Sequence, residues 1–150
     1  MRTIEREVVG AFIFSSDNRV LLGHSGVFNG DWSVPGGGVD EDQDDTHRDA
    51  LNREILEEVG IDISGLDAEL LDGKNSGTSE KTLRETRERV IVKMNFHDYI
   101  VRLGVVSSEV ELIMEDDFTG AQWFAADELK TLKMTPGTEK RLKQIGFIAA

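Results

Sequence analysis

Apolar residues recur with two different rhythms along this chain. "EVVGAFIFSS" and "NRVLLGH" are short runs rich in β-branched, aliphatic and aromatic residues, and Ser16-Asp17-Asn18 between them suits a hairpin turn. They predict two strands. "SGVFNGDW" is a loop by its glycines and asparagine, and "WSVPGGG" is a short extended piece that ends at a proline and a flexible turn. From Thr46 to Val59 the rhythm becomes helical. Asp45 or Thr46 is placed to cap the start of that helix, and Gly60 suits the left-handed residue that ends one.

Beyond the helix, "LDAELLDG" predicts a strand, and "KNSGTSEKTLRETRE" is a polar excursion with no regular pattern. "RVIVKMNFHDYIVRL" has strand composition over more than one strand's usual length. "SSEVELIMEDDF" reads as a strand or loop and leads into "GAQWFAA". Asp127 to Leu132 predicts a short helix. A last helix starts at Thr135, with Pro136 at the first position where its missing N–H does no harm, and stops at Gly146. Strands on both sides of a central helix predict an α/β fold, a mixed sheet with helices packed against it. No repeat or linker divides the 150 residues, so residues 1–150 are expected to form one domain.

On a helical wheel, at about 100° per residue, Glu54, Glu57 and Glu58 stand at i, i+3 and i+4 and cluster together. Leu51, Ile55, Leu56 and Val59 fall on the other side and form the apolar stripe expected to dock on the sheet. Arg53 flanks the acids, four residues before Glu57, and is able to hold a carboxylate in a forked hydrogen bond. Three like charges on one helical turn describe either a solvated acidic face or a site for a hard divalent cation. Oxygen-only ligands suit Mg²⁺ or Mn²⁺.

Charge sharpens that picture. The net charge is −12, and from Asp40 to Glu58 nine acids face two arginines. From Lys74 to Lys93 the balance inverts, with Arg84, Arg87 and Arg89 in a basic stretch that reads best as a solvated loop. So acidic a chain is not expected to bind nucleic acid stably, yet a divalent cation can sit between it and a small phosphorylated ligand. With no cysteine, disulfides and thiolate metal sites are excluded. No apolar run has the length of a membrane span, and "VVGAFIF" lacks the flanks of a signal peptide. Cytoplasmic residence is the default expectation, and a homodimer is compatible with the sequence.

Other motifs fail on spacing. Asp40-x-Asp42-x-Asp44 imitates an EF-hand loop, but Asp45 stands where that loop needs glycine and Leu51 where it needs glutamate. Gly36 and Gly38 lack the third glycine of a dinucleotide fingerprint, and no P-loop or nucleophile-elbow pattern occurs.

Gly37, the acids after it and "REILEEVGI" together resemble the signature of the Nudix hydrolases, Gly-x5-Glu-x7-Arg-Glu-U-x-Glu-Glu-x-Gly-U with U aliphatic. Arg53, Glu54, Ile55, Glu57, Glu58, Gly60 and Ile61 match its second half throughout. The first half departs: Asp45 stands where the family has glutamate, and Gly37 precedes it by two residues more than the pattern, as if "VDEDQDD" carried a two-residue insertion. "VVGAFIF…RVLLGH…GDWSVPGGGV" and "DDFTGAQWFAADEL" extend the similarity over most of the chain.

The resemblance implies an α/β/α sandwich and metal-dependent cleavage of the diphosphate bond in a nucleoside diphosphate linked to another group. It implies that Glu54, Glu57, Glu58 and the carbonyl of Gly37 or Gly38 hold Mg²⁺, or Mn²⁺. Arg53 would orient Glu54 or Glu57, with Glu54 the first choice for the base and Glu111, Glu115, Asp116 and Asp117 as outside candidates. Gly38, His24 and Phe28 are candidate substrate contacts; Trp32 and Trp123 read better as packing residues. The alternative is a Nudix module that binds a nucleotide without cleaving it.

Overall fold

The computed structural model describes residues 1–24, 31–114 and 119–150. Its frame is a pair of long parallel strands, β1 (Arg2–Phe14) and β7 (Arg89–Arg102), in register from Arg2↔Val90 to Phe14↔Arg102. On the far edge of β1 lie β2 (Val20–His24), joined at Phe14↔Val20, and β4 (Gly36–Gly38), antiparallel to Val8–Gly10. On the far edge of β7 lie β6 (Asn75–Thr82) and β5 (Ala68–Leu70), both antiparallel. β3 (Trp32–Ser33) and β8 (Thr119–Phe124) flank β2. The sheet is therefore mixed, as expected.

Side chains alternate across a strand, and β1 uses both faces. Val9, Ala11 and Ile13 point to one core with Ala50, Leu51, Ile55 and Val59 of helix α1 (His47–Val59). Phe12 and Phe14 point to a second core with Ile100 and with Leu142 of helix α2 (Pro136–Ile145). One helix covers each face, which is the α/β/α sandwich. Trp123 packs on the first core and Trp32 on the second.

Local signals placed α1 well. The Thr46 side chain accepts a 3.0 Å hydrogen bond from the Asp49 N–H, and Gly60 ends the helix at φ 74°. The cap is thus Thr46, not Asp45. Leu56, expected in the docking stripe, is 53% exposed instead. It lies on the trailing edge of the stripe, where the helix surface has already turned away from the sheet.

The polar excursion also differs from expectation. Its first half is β6, and a turn closed by Leu83 N–H to Glu88 O, 2.8 Å, with Arg87 at φ 60°, returns the chain to β7. β6 is almost wholly exposed, so no apolar alternation marks it. It is a strand because β7 offers it a free edge. β7 reaches 14 residues because its halves have different neighbours, β6 and then β5.

Helix α2 is pinned to the sheet by a buried ion pair, Arg141 Nε to Asp98 Oδ2 at 2.8 Å. The rest of the guanidinium donates to the carbonyls of Asp72 and Gly73 and to Gln144, at 2.6–2.9 Å. Asp98 also accepts from Asn75, at 3.1 Å. Every arm of that buried cation therefore has a partner, as burial demands. Among the described residues no helix is long and apolar enough to cross a membrane.

Candidate active site

The acids of α1 meet the sheet at β4, a strand of three glycines. Two of these are dictated by close approach. A Cβ on Gly36 would run into the carbonyl of Val9, and one on Gly37 would overlap the Glu54 carboxylate. Above Gly38 there is open space. Because β4 has no side chains, α1 lies close enough for Glu58 Oε1 to accept a 2.8 Å hydrogen bond from the Gly36 N–H. Glu54 and Glu58, one turn apart, both turn toward the glycine strand, while the Glu57 side chain is 56% exposed. The acidic and apolar faces of the wheel are thus not opposed: two of the three carboxylates occupy the flank where helix meets sheet.

Arg53 organises the group. Its Nε and Nη2 donate to the two oxygens of Asp44 at 2.9 and 2.7 Å, Nη1 donates to Glu54 at 3.0 Å and more weakly to Glu57 at 3.4 Å, and Nη2 also reaches the Gly38 carbonyl at 3.2 Å. One guanidinium therefore ties the loop, the helix and the glycine strand together. The carboxylate that it grips in a fork is Asp44, and Asp45, which the motif spacing singles out, is exposed. Thr46 as cap leaves Asp45 outside the helix, whereas the loop turns back on itself through Asp44 N–H to Asp40 O (2.7 Å) and Asp40 N–H to Asp44 Oδ2 (2.8 Å). That turn carries Asp44 inward. Sequence spacing misses it; the only hint is a second acid beside the expected one.

The electrostatics follow the same geometry. The hydrogen bond from Arg53 holds the Asp44 carboxyl down at about 2, against burial. Asp44 raises the Arg53 guanidinium above its usual value in return. Glu54 moves the other way. Burial raises it first, Arg53 works against that, and repulsion from Glu57 and Asp44 adds to the rise.

A divalent cation suits part of this arrangement. The donors are all oxygens, the bare Gly37 lets the Glu54 carboxylate reach the glycine strand, and Asp44, Glu54 and Glu57 share a single guanidinium, so negative charge is in excess. Among the described residues, though, no three acidic or histidine side chains converge as a ready-made cation cage. The donors gather around Arg53 and the Gly36 N–H instead.

The other expected contacts are scattered. His24 ends β2 edge-on to Trp32, ring centroids 4.7 Å apart, and Trp32 stands edge-on to Phe124 at 5.0 Å, so His24 belongs to an aromatic ladder. Phe28, Glu115, Asp116 and Asp117 lie outside the described residues. Glu111 is exposed, in a segment brought to the end of α1 by Ile113 N–H to Val59 O, 2.9 Å. Arg84 and Arg87 sit exposed in the β6–β7 turn, and Arg89 pairs with Glu80 at 2.6 Å.

A model of the NUDIX domain matches residues 5–145. The chain belongs to the Nudix family. It is a Nudix hydrolase, of the class that acts on phosphorus-containing acid anhydrides. It is similar to the nucleoside triphosphatase NudI of Klebsiella pneumoniae (strain 342), 28% identical over 123 residues that cover 82% of each chain. Among solved structures it resembles the dihydroneopterin triphosphate pyrophosphohydrolase of E. coli, with TM-score 0.68 and 19% identity over 92% of each chain. It also resembles the NUDIX domain of Shewanella oneidensis NrtR, complexed with ADP ribose, with TM-score 0.67 and 17% identity over 95% of this chain and 87% of that one. Those two likenesses concern the Nudix fold.

Proposed function

We propose that residues 1–150 form a single Nudix domain that cleaves, with Mg²⁺ or Mn²⁺, the diphosphate bond of a nucleoside diphosphate linked to another group. A nucleoside triphosphate heads the substrate classes, as in the name of the similar NudI; nucleotide sugars and dinucleoside polyphosphates follow. The observation that carries the reading is the placement of Glu54 against Gly37, with Arg53 fastened to Glu54, Asp44 and the Gly38 carbonyl.

Glu54, Glu57 and Glu58, with a glycine carbonyl of β4, would hold the cation. When bound, it would lower the pKa of an attacking water and offset charge on the diphosphate. Glu54 suits the base: its burial and its carboxylate neighbours raise its proton affinity, and Arg53 limits its rotation. The water oxygen forms the new bond to phosphorus, the bridging oxygen–phosphorus bond breaks, and the water proton goes to Glu54. Glu58, fastened to Gly36, keeps the helix and the glycine strand in register through the step.

The test is a panel of nucleoside triphosphates, nucleotide sugars and dinucleoside polyphosphates with Mg²⁺ and Mn²⁺, with both products identified. The expected result is a nucleoside monophosphate together with pyrophosphate or the other phosphorylated product. Absence of product from every member overturns the reading.

A further inference from the structure

The sheet face beneath α1 carries a pair of histidines that the hydrolytic reading does not use. Val9 of β1 is paired with Gly37 of β4 on one side and with His97 of β7 on the other. His97 therefore stands two strands from the glycine strand, about 10 Å away. Glu7, two residues before Val9, projects from the same face. His47, the first residue of α1, closes over them: the His47 and His97 ring centroids are 4.2 Å apart and the rings are tilted by 41°.

The polar atoms of this group are set apart by an unusual distance. His97 Nε2 is buried without a hydrogen-bond partner, and Glu7 Oε2 stops 3.5 Å from it. A ring N–H bonded to a carboxylate would close that gap to about 2.8 Å. The span instead matches two ligands of one ion. With Zn–N and Zn–O bonds of about 2.0–2.2 Å and a tetrahedral angle, the two donor atoms stand about 3.3–3.5 Å apart. The half-buried His47 ring makes no hydrogen bond or ion pair among the described residues, so its nitrogens are uncommitted. Two imidazoles and a carboxylate suit a borderline ion such as Zn²⁺, whereas the oxygen-only donors around Glu54 suit Mg²⁺.

We propose that Glu7, His47 and His97 form a second cation site, for Zn²⁺ or a similar borderline divalent ion, apart from the acids of the motif. His97 and Glu7 already hold the required spacing. The three side chains do not converge as they stand, so His47 completes the set by turning its ring off the stack, and water takes the fourth position. A cation at the start of a helix meets the positive end of its dipole, and the exposed Asp45 and Asp49 beside His47 offset that repulsion. The bound ion fastens β1, β7 and the first turn of α1 together, and so braces the helix that carries Glu54.

The test is a titration of the full chain with Zn²⁺ in excess Mg²⁺, which occupies the oxygen-only site, followed by proton NMR of the histidine rings and by calorimetry. The chain has three histidines, so His24 serves as the internal control. The expected result is that the His47 and His97 signals move together and saturate at one equivalent while His24 stays. Zn²⁺ should also raise the melting temperature of the wild type. His97→Gln, His47→Gln and Glu7→Gln should each weaken Zn²⁺ binding by at least about 10-fold, a loss seen even for groups one layer farther from a metal. His47 and Glu7 are not fully buried, so those two variants keep the test decisive if His97→Gln fails to fold. Three outcomes overturn the proposal: no movement of the His47 and His97 signals, equal movement of His24, or an affinity unchanged in His47→Gln or Glu7→Gln. Turnover is not read, so failure here removes the second site and leaves the hydrolase reading intact.

Discussion

Arg53 Nε and Nη2 meet the two oxygens of Asp44 at 2.9 and 2.7 Å, a two-point fork across nine residues of sequence. The Asp44 side chain is 3% exposed, so this contact is shielded on the carboxylate side, and the arginine it fixes is the one that holds Glu54. Through this pair the acidic loop sets the position of a carboxylate that it does not itself touch.

Asp44→Ala should therefore lower metal-dependent turnover by about 10- to 100-fold, the usual scale for losing a group that orients a site residue. Asp45→Ala, at an exposed position, should change thermal stability by no more than about 0.5 kcal/mol. Steady-state kinetics and melting curves on the two variants check this. Equal effects from both would mean that the fork has no role.

Glu54→Gln should cost about 10²- to 10⁴-fold in kcat if Glu54 takes the proton. Glu57→Gln and Glu58→Gln should abolish metal-dependent turnover with the fold intact, since glutamine at 58 can still accept from the Gly36 N–H. Near-normal rates in both at saturating Mg²⁺, with circular dichroism unchanged, would place the site elsewhere.

The Asp44 carboxyl is depressed in the folded protein to about 2 from an ordinary 3.8. A depressed acid stabilises the fold fully above its unfolded value, and the contribution disappears as pH falls through the folded one. Denaturant midpoints should drop for the wild type between about pH 4 and pH 2. Asp44→Asn should show a shallower decline over the same window. Parallel curves would refute the assignment.

The glycines of β4 should separate by substitution. Gly36→Ala should destabilise strongly, because its new carbon strikes the backbone carbonyl of Val9. Gly37→Ala strikes a side-chain carboxylate that is able to shift, so turnover should fall more than stability. Gly38→Ala meets open space and should fold as the wild type does. Melting temperatures and kcat for the three provide the comparison.

Arg141→Ala should cost about 3–5 kcal/mol, since it leaves Asp98 buried with its charge uncompensated. Urea unfolding of the variant measures it. A loss below 1 kcal/mol would show that water replaces the guanidinium freely.

Where a local rule was sufficient, sequence and structure agree. The continuous apolar run of β1, the cap and stop of α1, and Pro136 and Gly146 at the ends of α2 are decided by neighbours a few residues away. Arg53, Glu54, Glu57 and Glu58 were legible for the same reason, since helical spacing alone brings them together. β6 was not, because it has no buried face and is defined by hydrogen bonds to β7. Asp44 was not, because a loop turn chose between two adjacent aspartates.

By itself, then, the sequence determined the helices, the apolar strands, the family and the residues of its motif, since each depends on covalent spacing and local periodicity. Only the tertiary structure decided which aspartate Arg53 grips, that Glu54 and Glu58 lean on a glycine strand, and that Arg141 of the last helix pairs with Asp98 of the sheet. Those relationships join segments far apart in the chain. They depend on how strands align and how closely a helix approaches a sheet, and no local pattern encodes either.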